Sequence, residues 1–321
     1  MQRFSRKDMA LLAKLPFSLA IASALPETRW DRVTDTIVQA SALVNRSTVE
    51  QAMTLILRHV DPAELDEPVE AVARRYLRNI RVDGLATLKA HDPRRWRATT
   101  QVEGLAHIAA AQAAERGVIL WVAPFVFAAL ATKRALHEAG VPLHHLSTST
   151  HGSSSRSWFG IRYISSIRVK AENRYLAERV VIPPGGSMHR PLRRLDALLR
   201  DRAVVSVTVG SMGAQPQATP FLSGRIRVAT GVPSLALRTG AAVLPVITAR
   251  SAPTAFTTWI EAALVPEGTG GAEERRAAMV AALADRLEPY ARRWPDQVCW
   301  HHGLFGPGAR GQSATALPDE E

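Results

Sequence analysis

The sequence predicts an α/β fold: a helix-covered, mostly parallel sheet with an N-terminal helical layer. Three observations carry that prediction. Residues 1–98 show helical spacing of apolar residues and no strand-like run. From about Thr99 onward, short apolar runs alternate with helical segments. Several of those runs are apolar at every position, the pattern of strands buried on both faces and joined by helical crossovers.

The elements follow in chain order. Trp30–Val44, Ser47–His59 and Pro68–Leu88 place apolar residues three and four apart, and each has Asp or Ser near its start. Ser47-Thr-Val-Glu50 reads as a capping box. Asp92-Pro93 ends this layer. Gln101–Gly104 reads as a short strand and turn, Leu105–Glu115 as an Ala-rich helix, and Gly117–Ala123 as a fully buried strand. A helix through Leu130–Ala139 and a strand near Pro142–Ser147 come next. Ala203–Gly210 and Ala241–Ile247 are further buried strands, with helices at Pro191–Arg202 and Pro233–Thr239. Trp259–Leu264 reads as an edge strand, and Ala272–Arg292 as the last helix. The α/β core therefore spans 99–306, and 307–321 reads as a disordered tail.

A formal charge of +11 favours anionic partners: lipid headgroups, acidic carrier proteins or phosphate-bearing substrates. No helix-turn-helix, zinc finger or base-stacking platform is present, so no nucleic-acid partner is expected. The single cysteine, Cys299, excludes an internal disulfide and suits a reducing compartment. Arg3, Arg6 and Lys7 precede the apolar run Leu15–Leu25. Ala22-Ser23-Ala24 is compatible with a signal-peptidase site, but Lys14 and Pro16 interrupt the apolar segment. The run is shorter than the ~20 apolar residues of a spanning helix. An interfacial helix on anionic lipid and an ordinary buried helix both fit it.

Three segments, taken together, resemble the bacterial lipid A lauroyl/myristoyl acyltransferases, whose relatives include the mycobacterial mannoside acyltransferases. The first is Val102-Glu-Gly-Leu-Ala-His107 followed by Arg116-Gly-Val-Ile-Leu120. The second is Pro220-Phe-Leu-Ser-Gly224, then Ala229 through Pro245. The third is Trp294-Pro-Asp-Gln-Val-Cys-Trp-His-His302. The resemblance implies a sheet of the glycerolipid-acyltransferase type, as in lysophospholipid acyltransferases. It also implies fatty acyl transfer from acyl-CoA or acyl-carrier protein at the cytoplasmic face of the inner membrane, to which the protein would bind peripherally. No cofactor is implied.

The departure from that pattern is large. In the family the strand equivalent to 117–123 runs into a His with an acid five residues on; the His serves as general base and the acid orients it. Alignment on Phe125 and Leu130 puts Pro124 at the His position and Ala129 at the acid position. His144 and His145, after the second strand, and His151, in a Ser/Thr-rich stretch, are the candidate replacements, with a Ser as partner. Their alternative is a polar surface loop whose hydroxyls cap turns. Cys299 with His301 and His302 invites a thiol–imidazole reading, against the ordinary fate of a lone Cys as a small packed hydrophobe. No His pair has metal-ligand spacing backed by acid or Cys partners.

Between Arg156 and Arg202 stand eleven Arg/Lys against four Asp/Glu. The resemblance makes Arg156, Arg162 and Arg190 candidates for substrate phosphates, with Arg225 and Arg227 at the pocket edge; the planar Arg fork suits phosphate oxygens. The alternative is a solvated Arg-rich surface. Two functional readings follow: an acyltransferase with a rebuilt site acting on a lipid hydroxyl or an amine, and a catalytically degenerate homologue that binds acyl chains, lipids or a carrier protein without turnover.

Overall fold

The computed structural model describes residues 2–92, 94–149, 151, 157–183, 188–211, 216–265 and 270–305. Four helices precede the sheet: α1 (Arg6–Ala24), α2 (Trp30–Val44), α3 (Ser47–Leu57) and α4 (Val69–Lys89). The central one is α4, which buries Val72, Ala73, Tyr76, Leu77, Val82, Leu85 and Ala86 and packs against the other three. Each large apolar side chain so buried contributes about 1.5–3 kcal/mol. The capping box expected at Ser47 does not form. Asn45 intervenes: its side-chain oxygen accepts from Ser47 N–H at 3.0 Å and from the Ser47 hydroxyl, so that hydroxyl is turned away from the helix. A capping box does start α1, where Ser5 Oγ accepts from Asp8 N–H and the Asp8 carboxylate accepts from Ser5 N–H.

The sheet strands are β1 (Thr99–Glu103), β2 (Val118–Val122), β3 (Leu143–Thr148), β4 (Glu178–Ile182), β5 (Val204–Thr208), β8 (Ala242–Ala252) and β9 (Ala255–Ile260). A separate antiparallel hairpin pairs β6 (Pro216–Phe221) with β7 (Gly224–Ala229). The sheet order is β1-β9-β8-β2-β5-β3-β4, and every pairing is parallel except β8 with β9. The strand expected at 259–264 therefore lies earlier and is not an edge: β9 sits between β1 and β8. Its core-facing threonines hide it from an apolar-run search. Thr258 is fully buried because its hydroxyl bonds that of Thr248 at 2.9 Å.

The remaining helices are α5 (Leu105–Ala113), α6 (Ala128–Glu138), α7 (Ser165–Asn173, extending a π-helical turn at Gly160–Ile164), α8 (His189–Arg200), α9 (Gly231–Thr239) and α10 (Ala272–Arg293). From β2 the chain winds through α6 to β3 and through α7 to β4; it then reverses through α8 to β5 and through α9 to β8. Right-handed crossovers in opposite directions put α6 and α7 on one face and α8 and α9 on the other. Contacts of α6 with α7, and of α8 with α9, agree. Because β2 and β5 are neighbours whose connections leave to opposite sides, a crevice is expected at their C-terminal ends, where α/β sheets bind ligands. One apolar core joins the sheet to the helical layer, running from Trp30 and Tyr76 to Ile119, Leu244 and Trp300.

Two motif glycines have packing reasons. A Cβ on Gly117 would lie 2.3 Å from the Leu199 carbonyl oxygen of α8, and one on Gly224 would lie 2.6 Å from the Arg58 carbonyl oxygen. Gly224 closes the β6–β7 turn against the helical layer, where Ser223 N–H also donates to the His59 carbonyl at 2.9 Å.

Candidate functional site

The crevice at the ends of β2 and β5 is where Pro124 stands, and the chain's own C-terminal segment covers it. Pro124 is buried; its carbonyl accepts from Cys299 N–H at 2.8 Å. Phe125 forms an antiparallel bridge with Val298, and Val126 N–H donates to the Gln297 carbonyl at 2.7 Å. The Gln297 side chain clasps the end of β8, accepting from Arg250 N–H at 2.7 Å and donating to the Arg250 carbonyl at 2.9 Å. At the end of β5, a Cβ on Gly210 would meet His302 Cε1 at 3.8 Å. Residues 297–302 thus form a clasp over Pro124 and the end of β5.

Ala129, which the sequence resemblance aligns with an acid, offers its backbone carbonyl. Its carbonyl accepts at 2.6 Å from Lys133 Nζ, one turn along α6. The same Lys133 Nζ reaches a buried polar cluster beside the C-terminal end of β3. There Glu172, in the last turn of α7 and with no solvent exposure, receives three groups. Lys133 Nζ lies 3.0 Å from its carboxylate, Arg179 donates at 2.8 Å from β4, and His151 Nε2 lies at 2.8 Å. Burial would raise the Glu172 pKa; Lys133, the His151 hydrogen bond and Arg168 outweigh it and hold the carboxyl well below its usual range. One turn back along the same face of α7, Arg168 pairs with Asp83 of α4 and ties the helical layer to this helix.

His151 lies just past the C-terminal end of β3, with a quarter of its side chain exposed (24%). Burial lowers its pKa below 6.5 against the opposing pull of Glu172, so the ring is neutral at pH 7. In a neutral ring whose Nε2–H donates to Glu172, the lone pair is on Nδ1. The position of that lone pair is what a general base needs.

The other histidines divide. His144 and His145 do not follow a strand; they lie within β3 near its start, away from the C-terminal edge. His144 Nδ1 is 3.2 Å from Glu178. His145 does meet a serine, with Nδ1 2.9 Å from Ser206 Oγ, but both are buried, and burial holds His145 well below 6.5. Its ring centroid is 6.2 Å from that of His151. Among the described residues the ring of His151 is partnered by Glu172, while Ser165 Oγ donates to the His151 carbonyl. The Cys299 thiol is pushed up to about 12 by burial and stays protonated at neutral pH, so no thiol–imidazole nucleophile forms; His301 is taken by the Tyr76 hydroxyl.

The arginine candidates do not converge. Arg162 is exposed on the π-helical turn, Arg190 is exposed in the first turn of α8, and Arg225 and Arg227 project from β7 opposite Pro220 and Ala218. None makes an ion pair with a described residue. Arg156 lies outside the described residues. The cations that do gather are Lys133, Arg168 and Arg179, against two carboxylates, Asp83 and Glu172, which leaves one positive charge in excess. Among the described residues no group of three or more His, Cys, Asp or Glu is placed to hold a metal, and no helix is long and apolar enough to cross a membrane.

Glu172 was invisible to sequence reasoning because it stands 21 positions from His151 on another element. Comparison with protein-family models gives no match, and comparison with curated proteins gives none either.

Proposed function

We propose that this chain is an acyltransferase whose general base has moved from the end of β2 to the end of β3, with His151 as the base and Glu172 as its orienting acid. The supporting observation is the 2.8 Å contact between His151 Nε2 and a fully buried Glu172. In the proposed step the acceptor, a lipid hydroxyl or an amine, attacks the thioester carbonyl of acyl-CoA or acyl-carrier protein. Its proton passes to His151 Nδ1, the C–S bond breaks, and the proton is returned to the departing thiolate. Glu172 stabilises the transient imidazolium. The extra positive charge among Lys133, Arg168 and Arg179 suits donors that carry phosphate, and the basic balance of the chain suits peripheral work at the cytoplasmic face of the inner membrane.

The test is release of free thiol from long-chain acyl-CoA and acyl-carrier protein, with lipid and amine acceptors supplied in turn. His151→Ala is expected to lower release by about 10²–10⁴, and Glu172→Gln to lower it per molecule of protein shown by its melting curve to be folded. Release that is identical in His151→Ala would remove the proposal.

A second reading has its own observation. The clasp of residues 297–299 over Pro124 fills the place where the family reaction would occur, as suits a degenerate homologue that binds acyl chains, lipids or a carrier protein without turnover. Acyl-chain binding with no thiol release from any donor would favour it.

A further inference from the structure

We infer that α1 and the start of the α7 helix form one docking surface for an anionic lipid bilayer; the inference rests on the reading above only in supplying the partner of that site. Of the nineteen residues of α1, only Asp8, Ile21 and Ala22 are buried. At 100° per residue, Met9, Leu12, Ala13, Pro16, Phe17, Leu19 and Ala20 fall within an arc of about 160° on one side. All seven are exposed, Met9 by 60% and Phe17 by 59%. The stripe is apolar and faces outward, the reverse of a helix packed on a core.

The stripe does not end with the helix. Trp158 N–H donates to the Gln2 carbonyl at 3.0 Å and Phe159 N–H to the Arg3 carbonyl at 3.2 Å. Ser157 Oγ donates to Asp8 at 2.6 Å, and the rings of Phe4 and Phe159 stand 4.3 Å apart. These bonds fix the head of α1 to the π-helical turn. There Trp158 and Tyr163, in edge-on contact at 5.7 Å, expose 48% and 51% of their area. Arg3, Arg6 and Arg162 are exposed beside them.

Apolar side chains bordered by Trp, Tyr and Arg match a headgroup boundary, where the rings straddle the interface and the cations meet lipid phosphate. The same cations argue against a second copy as occupant, since two such faces would bring like charges together. The surface is built into the helix that carries Glu172. Docking through Trp158 therefore holds the His151–Glu172 pair about 20 Å along that helix at the 1.5 Å rise per residue.

The experiment is co-sedimentation of the full chain with vesicles of phosphatidylcholine alone and of phosphatidylcholine mixed with phosphatidylglycerol. The wild-type chain is expected to bind the mixed vesicles, to bind pure phosphatidylcholine more weakly, and to be released by salt. The triple variant Met9→Ser, Phe17→Ser, Trp158→Ser should lose at least about tenfold in affinity while melting near the wild-type temperature, because all three side chains are exposed. His151→Ala should sediment as wild type does. No binding, equal binding by the triple variant, or a vesicle-free dimer that the same substitutions dissolve would overturn the inference. Thiol release without vesicle binding would sink this proposal alone; vesicle binding without thiol release would sink the dyad alone.

Discussion

Loss of the Glu172 carboxylate leaves Lys133, 5% exposed, with the Ala129 carbonyl as its one hydrogen-bond partner among the described residues, and takes from Arg179 and His151 their shared acceptor. An unpaired buried charge of this kind costs about 3–5 kcal/mol, so Glu172→Ala should lower the unfolding free energy from urea denaturation by that amount. The double change Lys133→Met with Glu172→Leu should recover much of it, because the pair then vanishes together. Acid exposes the histidines in turn. Burial holds His145 and His151 below 6.5 and His302 down to about 4. The unfolded chain takes up those protons near pH 6.5 while the folded chain refuses them, so the unfolded state binds more protons as pH falls. Thermal stability should hold above about pH 7 and decline from pH 6.5 towards 4, with Glu172 adding its own loss below its unfolded value. The Ser/Thr setting drew attention to His151 as a candidate. Its partner was not legible, because side chains joined across α7 and the β3 edge leave no spacing signature, and three cations on three elements converge only once the sheet is assembled.

At the scale of elements, helix and strand positions in the apolar runs could be read directly. Val118–Val122, Val204–Val205 and Ala242–Ile247 are buried on both faces, and that burial favours the apolar residues found there. What escaped was chemistry that mimics loops. β4 is an edge strand opening on Glu178 and Arg179, and its charges serve Arg194 and Glu172. The β6–β7 hairpin carries Pro216 and Pro220, which suit a two-stranded ribbon and would break a central strand. The Pro220–Gly224 motif marks the turn that docks this hairpin on the helical layer. Gly117→Ala tests such close packing: its methyl would meet the α8 backbone, and a loss of about 1–3 kcal/mol is expected by urea denaturation. A neutral result would show that β2 and α8 can part at that point.

For the whole molecule, reversal of winding places a crevice between β2 and β5, and the C-terminal clasp occupies it. Under the proposed function the base stands elsewhere on the same edge, and His151, just past β3, is the residue assigned to it. That proposal makes a prediction that a base at the end of β2 would not: turnover depends on a ring whose pKa is lowered below 6.5 and whose acid is Glu172. The most direct measurement is the rate of thiol release from acyl-CoA as a function of pH, at low donor concentration and with lipid and amine acceptors present. The account predicts a rate that falls on the acid side with an apparent pKa below 6.5, and a limb that disappears in His151→Ala along with most of the rate. No release at any pH with any acceptor, or a profile that His151→Ala leaves unchanged, would contradict it.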